Sequence, residues 1–300
     1  MNYRPYLFGG AIALSLAGAA IAQQNMDAVD VTAQEIRPGV AVLFGNGGNI
    51  GVSHGEDGTL IVDDQFAPLV PKIQAAIAGL GASPVKFLVN THWHFDHSGG
   101  NEPFGQAGAI IVAQTRVRDR LVAGGTVAGN TSPPAPKAAL PVVTYDRGIS
   151  FHLNGDTIEV IHTGGGHTDG DSAIYWHKAN VLHTGDLMMH KSGFPFVDLS
   201  SGGNVEHLLV SLDQLIAMTD ADTVIIPGHG PLATRADLIA WRAMIATAVE
   251  RVQALKTAGR TLEQARAAKP LAGLSNAPDA FVSEDAFVES IWGSLEAHGR

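Results

Sequence analysis

The chain predicts a mixed α/β protein, and three observations carry that reading. Short apolar runs bounded by Gly, Asn and Asp alternate with segments of helical spacing. Gly-rich turns join some of the strand-like runs, so part of the sheet structure is built from hairpins. Hydrophobic residues make up 45% of the 300 and charged residues 16%, with 35 glycines. That balance supports a substantial core with many loops and excludes wholesale disorder.

The first segment, 1–22, reads as an export signal. Arg4 and the amino terminus supply positive charge, 7–19 is apolar, and Ala20-Ile21-Ala22 fits a small-x-small cleavage site. The apolar run is shorter than the roughly 20 residues a spanning helix needs. No stable membrane insertion is therefore expected after cleavage. Residues 23–38 read as a polar lead-in. Strands follow at 40–44 and 49–53 around the Gly-Asn-Gly-Gly turn at 45–48, then at 59–62, ending on Asp63-Asp64. A helix is expected over 68–79, a buried strand over 85–89, a strand over 109–112 and a helix over 114–122. Residues 124–141 are rich in Gly, Ala and Pro without periodicity, so a long loop, a lid or a disordered segment, is expected there. Strands are expected near 149–153, 156–161, 173–177 and 180–183. A helix follows at 204–219, then a strand at 223–226. Helices are expected at 235–257, 261–268 and 284–297, with 269–283 as an irregular joint. No repeat and no clean boundary divides the chain, so 23–300 reads as one domain whose part after 235 is helical.

No cysteine is present, which excludes disulfides and thiolate ligands. An exported chain without disulfides fits the bacterial periplasm, or secretion. The formal net charge of −10 argues against a nucleic-acid partner, since phosphate binding needs clustered Lys and Arg.

The densest chemistry lies in His92-Trp93-His94-Phe95-Asp96-His97, which follows the apolar run Phe87-Leu88-Val89. Three imidazoles and a carboxylate within six residues suit a divalent metal, zinc above all. On an extended segment His92 and His94 share one side, Asp96 continues it, and His97 turns away, so one motif can feed two neighbouring metals. Three more candidates sit in Gly-containing turns after apolar strands. They are His167 in Gly166-His167-Thr168, Asp186 in Thr184-Gly185-Asp186-Leu187, and His229 in Pro227-Gly228-His229-Gly230. Such turns are where side chains emerge from a sheet edge and backbone approaches a ligand closely.

In this order the motifs resemble the metallo-β-lactamase superfamily over roughly residues 38–232. The resemblance implies an αββα sandwich of two mixed β-sheets with flanking helices, here with a helical C-terminal extension, and metals at one edge. It assigns His92, His94 and His167 to a first zinc, Asp96, His97 and His229 to a second, and Asp186 to both. Iron or manganese can occupy such bridged sites. Asp63 matches a family position behind the ligands and reads as an acceptor that fixes an imidazole tautomer, or as a turn-forming Asp. His162 lies five residues before His167, but the family's Gly-His-Thr pattern favours His167. His183 reads as packed near the ligands and His190 as a pocket residue.

The expected reaction is metal-assisted hydrolysis of a small-molecule amide, ester, lactone or thioester. A hydroxide held between two Lewis acids attacks the acyl carbon, and Asp96 orients it and relays a proton. Export, the segment from His167 to Trp176 and the Gly-rich turn resemble zinc β-lactamases. Those enzymes carry Cys where this chain has Asp186, and no His where it has His97. That metal set instead resembles glyoxalase II-like thioesterases and lactonases. A metal-binding or redox-relay protein without hydrolytic activity is the remaining alternative. Lys191 either anchors a substrate carboxylate or is merely exposed, while Phe66, Phe194 and Phe196 are candidates for the pocket wall. The helical C-terminus is expected to pack on the sandwich, as a monomer or with a dimer contact.

Overall fold

A computed structural model describes residues 26–275, 277 and 280–297. The export signal expected at 1–22 lies outside the described residues.

One sheet has seven strands in the order β1 (Thr32–Arg37), β2 (Val40–Phe44), β3 (Ile50–Ser53), β4 (Thr59–Val62), β5 (Val85–Asn90), β6 (Ile110–Gln114) and β9 (Val143–Tyr145). The first four run antiparallel, and β4, β5, β6 and β9 are parallel. Among the described residues, β7 (Gly125–Val127) and β8 (Asn130–Ser132) pair only with each other. The second sheet has six strands, β10 (Gly148–Leu153), β11 (Asp156–His162), β12 (Ser172–Trp176), β13 (Val181–His183), β14 (Val224–Ile226) and β15 (Ala233–Thr234). Within it only β13 and β14 are parallel.

The period of two in the strands sorts their side chains into layers. Val40, Val42, Leu60, Val62, Val89 and Val112 of the first sheet meet Phe151, Ile158, Val160, Ile174, Trp176 and Ile226 of the second, forming the central layer. Ala41, Leu43, Ile50, Val52, Ile61 and Leu88 point the other way. They pack on helix α1 (Val70–Gly79), whose Val70, Ile73 and Ile77 are buried at helical spacing. Helices α2 (Phe95–Ser98), α3 (Asn101–Gln106) and α4 (Thr115–Ala123) follow on the first sheet's side. The outer face of the second sheet is covered by α5 (Val205–Met218), α6 (Arg235–Thr257), α7 (Leu262–Ala267) and α8 (Glu284–Ala297). The result is an αββα sandwich. Caps set the ends of these helices. The Asn204 side chain accepts from the amides of Glu206 and His207, and Thr234 with Asp237 closes a reciprocal capping box at the start of α6.

Three expectations are corrected. The polar lead-in contains β1, an edge strand that its alternating polar sequence hides because it is mostly exposed. The stretch 124–141 is not one irregular loop: it holds the β7–β8 hairpin and a 3₁₀ turn at Lys137–Ala139. The ligand motif is not extended throughout. The backbone is extended at His94 (φ −62°, ψ 146°) and then turns helical, so Asp96 does not continue the side of His92 and His94. The described residues of the joint at 269–283 are irregular, as expected, with Leu271 and Val282 buried and Val282 bridged to Gly193.

Candidate metal centre

The two sheets deliver their ligand-type side chains to one edge. Parallel pairing of β4 with β5 aligns Val62 with Val89, and the Asp63 amide donates to the Val89 carbonyl. Asp63 and Thr91 therefore leave adjacent strands side by side. Asp63 accepts from the Thr91 amide and hydroxyl, each at 2.7 Å, and pairs with His97 Nδ1 at 2.7 Å. From the second sheet, β11 leads through a glycine run to His167, β13 leads to Asp186, and its parallel neighbour β14 leads to His229.

All seven sequence-derived candidates converge. His92, His94 and His167 each present a ring nitrogen within 4.8 Å of one another, as do the donor atoms of Asp96, His97 and His229. A third such set, His92, His97 and Asp186, links the two. Asp186 Oδ2 lies 3.5 Å from His167 Nε2 and 3.4 Å from His229 Nε2, so one carboxylate faces both triads. Asp96 Oδ2 is 3.3 Å from His229 Nε2.

These residues fit metal ions on observations that ordinary packing does not explain. Among the described residues, His92 Nε2 is buried with no hydrogen-bond partner. His94 Nδ1 and His167 Nε2 face each other at 2.8 Å, and His97 Nε2 and His229 Nε2 at 3.2 Å. Meanwhile the second nitrogen of several rings is held from behind. His94 Nε2 meets Asp198 at 3.1 Å, His167 Nδ1 meets the Phe196 carbonyl at 2.7 Å, and His92 Nδ1 meets the Thr91 hydroxyl at 3.0 Å. Acceptors behind and converging nitrogens in front are how proteins orient imidazole ligands. Backbone also closes on the cluster. A Cβ on Gly48 would fall 2.2 Å from His97 Cε1, and one on Gly228 would fall 2.0 Å from Asp186 Oδ1.

The electrostatics separate the triads. Burial, reinforced by neighbouring imidazoles, pushes His92 well below the usual histidine range and His167 down to about 4, so both rings are neutral and ready to donate lone pairs. Burial also opposes charge on His97, but Asp186, Asp96 and Asp63 outweigh it and hold the ring well above its ordinary value. Asp186 is the counterpart. Burial would raise it, yet His229, His97 and His167 keep it far below the usual carboxylate range.

A cleft of about 530 Å³ opens over the cluster. Phe66, Phe196 and Lys191 line it, together with Asp96, Asp186 and His229. Phe194 does not: it is 7% exposed and stacks on Phe287 in the core at 5.4 Å. His162 turns to the Asp171 carbonyl, and His183 is buried against the Asn49 carbonyl. His190 borders a neighbouring cleft beside Asp237. Sequence reasoning missed Asp198 and Phe281. Asp198 caps its own turn through Ser200 and Ser201, which disguises its contact with His94, 104 residues away. Phe281 reaches the cleft from the C-terminal joint, where no periodicity marks it.

A family model described as the metallo-beta-lactamase superfamily matches residues 44–229. A probable metallo-hydrolase of Bacillus subtilis is 29% identical over 188 residues, 57% of this chain and 83% of that protein. An acyl-coenzyme A thioesterase of Gallus gallus is 28% identical over 62% of this chain and 73% of its own length. A hydroxyacylglutathione hydrolase of Haemophilus influenzae is 28% identical over 50% and 71%. Among solved structures, a metallo-beta-lactamase from Pontibacter korlensis superposes with a TM-score of 0.60 at 20% identity, covering 72% of this chain and 99% of that one. A sec-alkyl sulfatase superposes with a TM-score of 0.66 at 16% identity, covering 88% of this chain and 50% of its own. At these identities the superpositions speak for the fold.

Proposed function

The chain belongs to the metallo-β-lactamase superfamily, and from that premise we propose that it is a dinuclear zinc hydrolase acting on the acyl carbon of a small-molecule substrate. The observation that carries the reading is the pair of ligand triads joined by Asp186. His92, His94 and His167 would hold one ion and Asp96, His97 and His229 the other, with Asp186 facing both triads. Zinc is favoured by the all-imidazole donor set of the first site, His92, His94 and His167. Bound there, two zinc ions supply Lewis acidity and make water nucleophilic near neutral pH.

The chain's own residues do the rest. Asp63 and Asp198 fix the His97 and His94 rings, so the ligands need no rearrangement during turnover. Asp96, with its side chain 23% exposed at the cleft floor, takes a proton from the attacking water and passes it to the leaving group. Lys191 holds a substrate carboxylate, and Phe66 and Phe196 exclude water from the reacting carbon. Thioester cleavage is supported by the names of the thioesterase and hydroxyacylglutathione hydrolase relatives. β-Lactam cleavage, weak without a Cys ligand, is supported by the N-terminal segment 1–22 read as an export signal and by Gly47 of the glycine-rich turn at the cleft. We further propose removal of 1–22 and a periplasmic or secreted location, to be tested by sequencing the mature N-terminus.

The functional test is metal analysis with turnover of a chromogenic cephalosporin, a lactone and a glutathione thioester, using His94→Ala as control. Two zinc equivalents and hydrolysis of at least one substrate, lost in the control, are expected. A fully metal-loaded protein that cleaves none of them overturns the reading.

A further inference from the structure

Phe281 is 68% exposed, an unusual position for an aromatic ring that is nevertheless held in place. Its neighbours are anchored. Val282 is 5% exposed and bridges to Gly193, and a Cβ on Gly193 would fall 2.4 Å from Ala280 Cβ. The ring of Phe281 stands edge-on to Phe196 at 5.7 Å. Phe196 in turn lies 5.8 Å from His94 and 5.6 Å from His167. A run of aromatic surface thus leads from two of the metal-facing imidazoles outward to the C-terminal joint. Val127 and Ala128 of the β7–β8 hairpin line the same cleft. Both walls come from segments without ligand residues, and Phe281 lies beyond the stretch that matches the family.

We infer that Phe281 is a specificity-determining residue, which selects substrates carrying an aryl or bulky alkyl group by stacking it against Phe196, with the β7–β8 hairpin also lining the cleft. This rests on the hydrolase reading above. In a thioester, water adds to the carbonyl carbon, the C–S bond breaks, and the thiol leaves with a proton. Phe281 takes no part in those steps. It supplies apolar area to a group remote from them, so its loss acts on substrate capture.

The test compares S-phenylacetyl-thioglycolate with S-acetyl-thioglycolate, which share a leaving group and a single carboxylate. Thiol release is followed for the wild type, Phe281→Ala and Phe281→Leu. Phe281→Ala should lower kcat/KM for the phenylacetyl ester about tenfold, mainly through KM, and leave the acetyl ester within about twofold. Phe281→Leu should recover most of the loss. A second assay needs no turnover. Calorimetric binding of (2-phenylethylthio)acetate against (ethylthio)acetate, neither of which has a scissile acyl bond, should show the same dependence on Phe281. An unchanged phenyl preference in Phe281→Ala, or an equal loss for both members of each pair, overturns the inference. If neither thioester is cleaved while the thioethers still discriminate through Phe281, the selectivity stands and it is the hydrolase reading that fails for these substrates.

Discussion

At the residue scale, one carboxylate organises both halves of the ligand motif. Asp63 binds Thr91 at the start of the motif and His97 at its end, and it does so from a left-handed backbone position at φ 64°. Asn tolerates that conformation, so Asp63→Asn tests the charge with the backbone kept. Chelator competition should show affinity for the metal ion at Asp96, His97 and His229 falling by about 10- to 100-fold, with the ion at the other triad less affected. His229 gives a pH prediction. Burial alone favours its neutral ring, but Asp186 and Asp96 raise its pKa to about 9 from 6.5. A raised pKa stabilises the metal-free fold fully below 6.5, and that contribution is lost as pH climbs through about 9. Zinc needs the neutral ring and gains over the same interval. The Tm gap between zinc-loaded and chelator-treated protein should therefore widen from pH 6.5 to 9; a narrowing gap would contradict the assignment of His229.

At the element scale, Arg120 of α4 makes a two-pronged pair with Asp169, both bonds 2.7 Å, tying this helix to the loop that carries His167. Both side chains are about a quarter to a third exposed, so Arg120→Ala should cost only about 0.5–1 kcal/mol of stability. Its larger effect should be faster hydrogen exchange at the amides of 163–171. The elements also show what the sequence made legible. Strands buried on both faces, such as β3 and β4, and helices with a one-sided apolar stripe, such as α1 and α5, stand out because burial dictates their residues. The seven metal-facing residues stand out because metal chemistry restricts side-chain type. The edge strand β1 and the β7–β8 hairpin carry neither constraint. Their residues answer mainly to solvent and to backbone pairing, which leave little trace in composition. Asp198 and Phe281 act through contacts across long sequence separations, and no local pattern records those.

At the scale of the whole molecule, the helices after residue 235 are structural members of the sandwich. Leu238, Trp241, Ile245, Val249 and Val252 of α6 and Phe287 and Ile291 of α8 share one core with α5 and the second sheet. Ile245 is fully buried, so Ile245→Ala should cost about 2–5 kcal/mol in denaturant unfolding, with zinc stoichiometry in the folded fraction unchanged. The division of the metal centre between the two sheets has a further consequence for unfolding equilibria. Four of its seven side chains fall within 92–97, while His229 lies 132 residues from His97. When the sandwich comes apart the distant donors leave, but the local four stay together on one short stretch of chain. The denatured protein is then a weak zinc chelator in its own right. Added zinc should raise the midpoint of unfolding by less than the affinity of the native centre implies, because only the difference between the two affinities contributes.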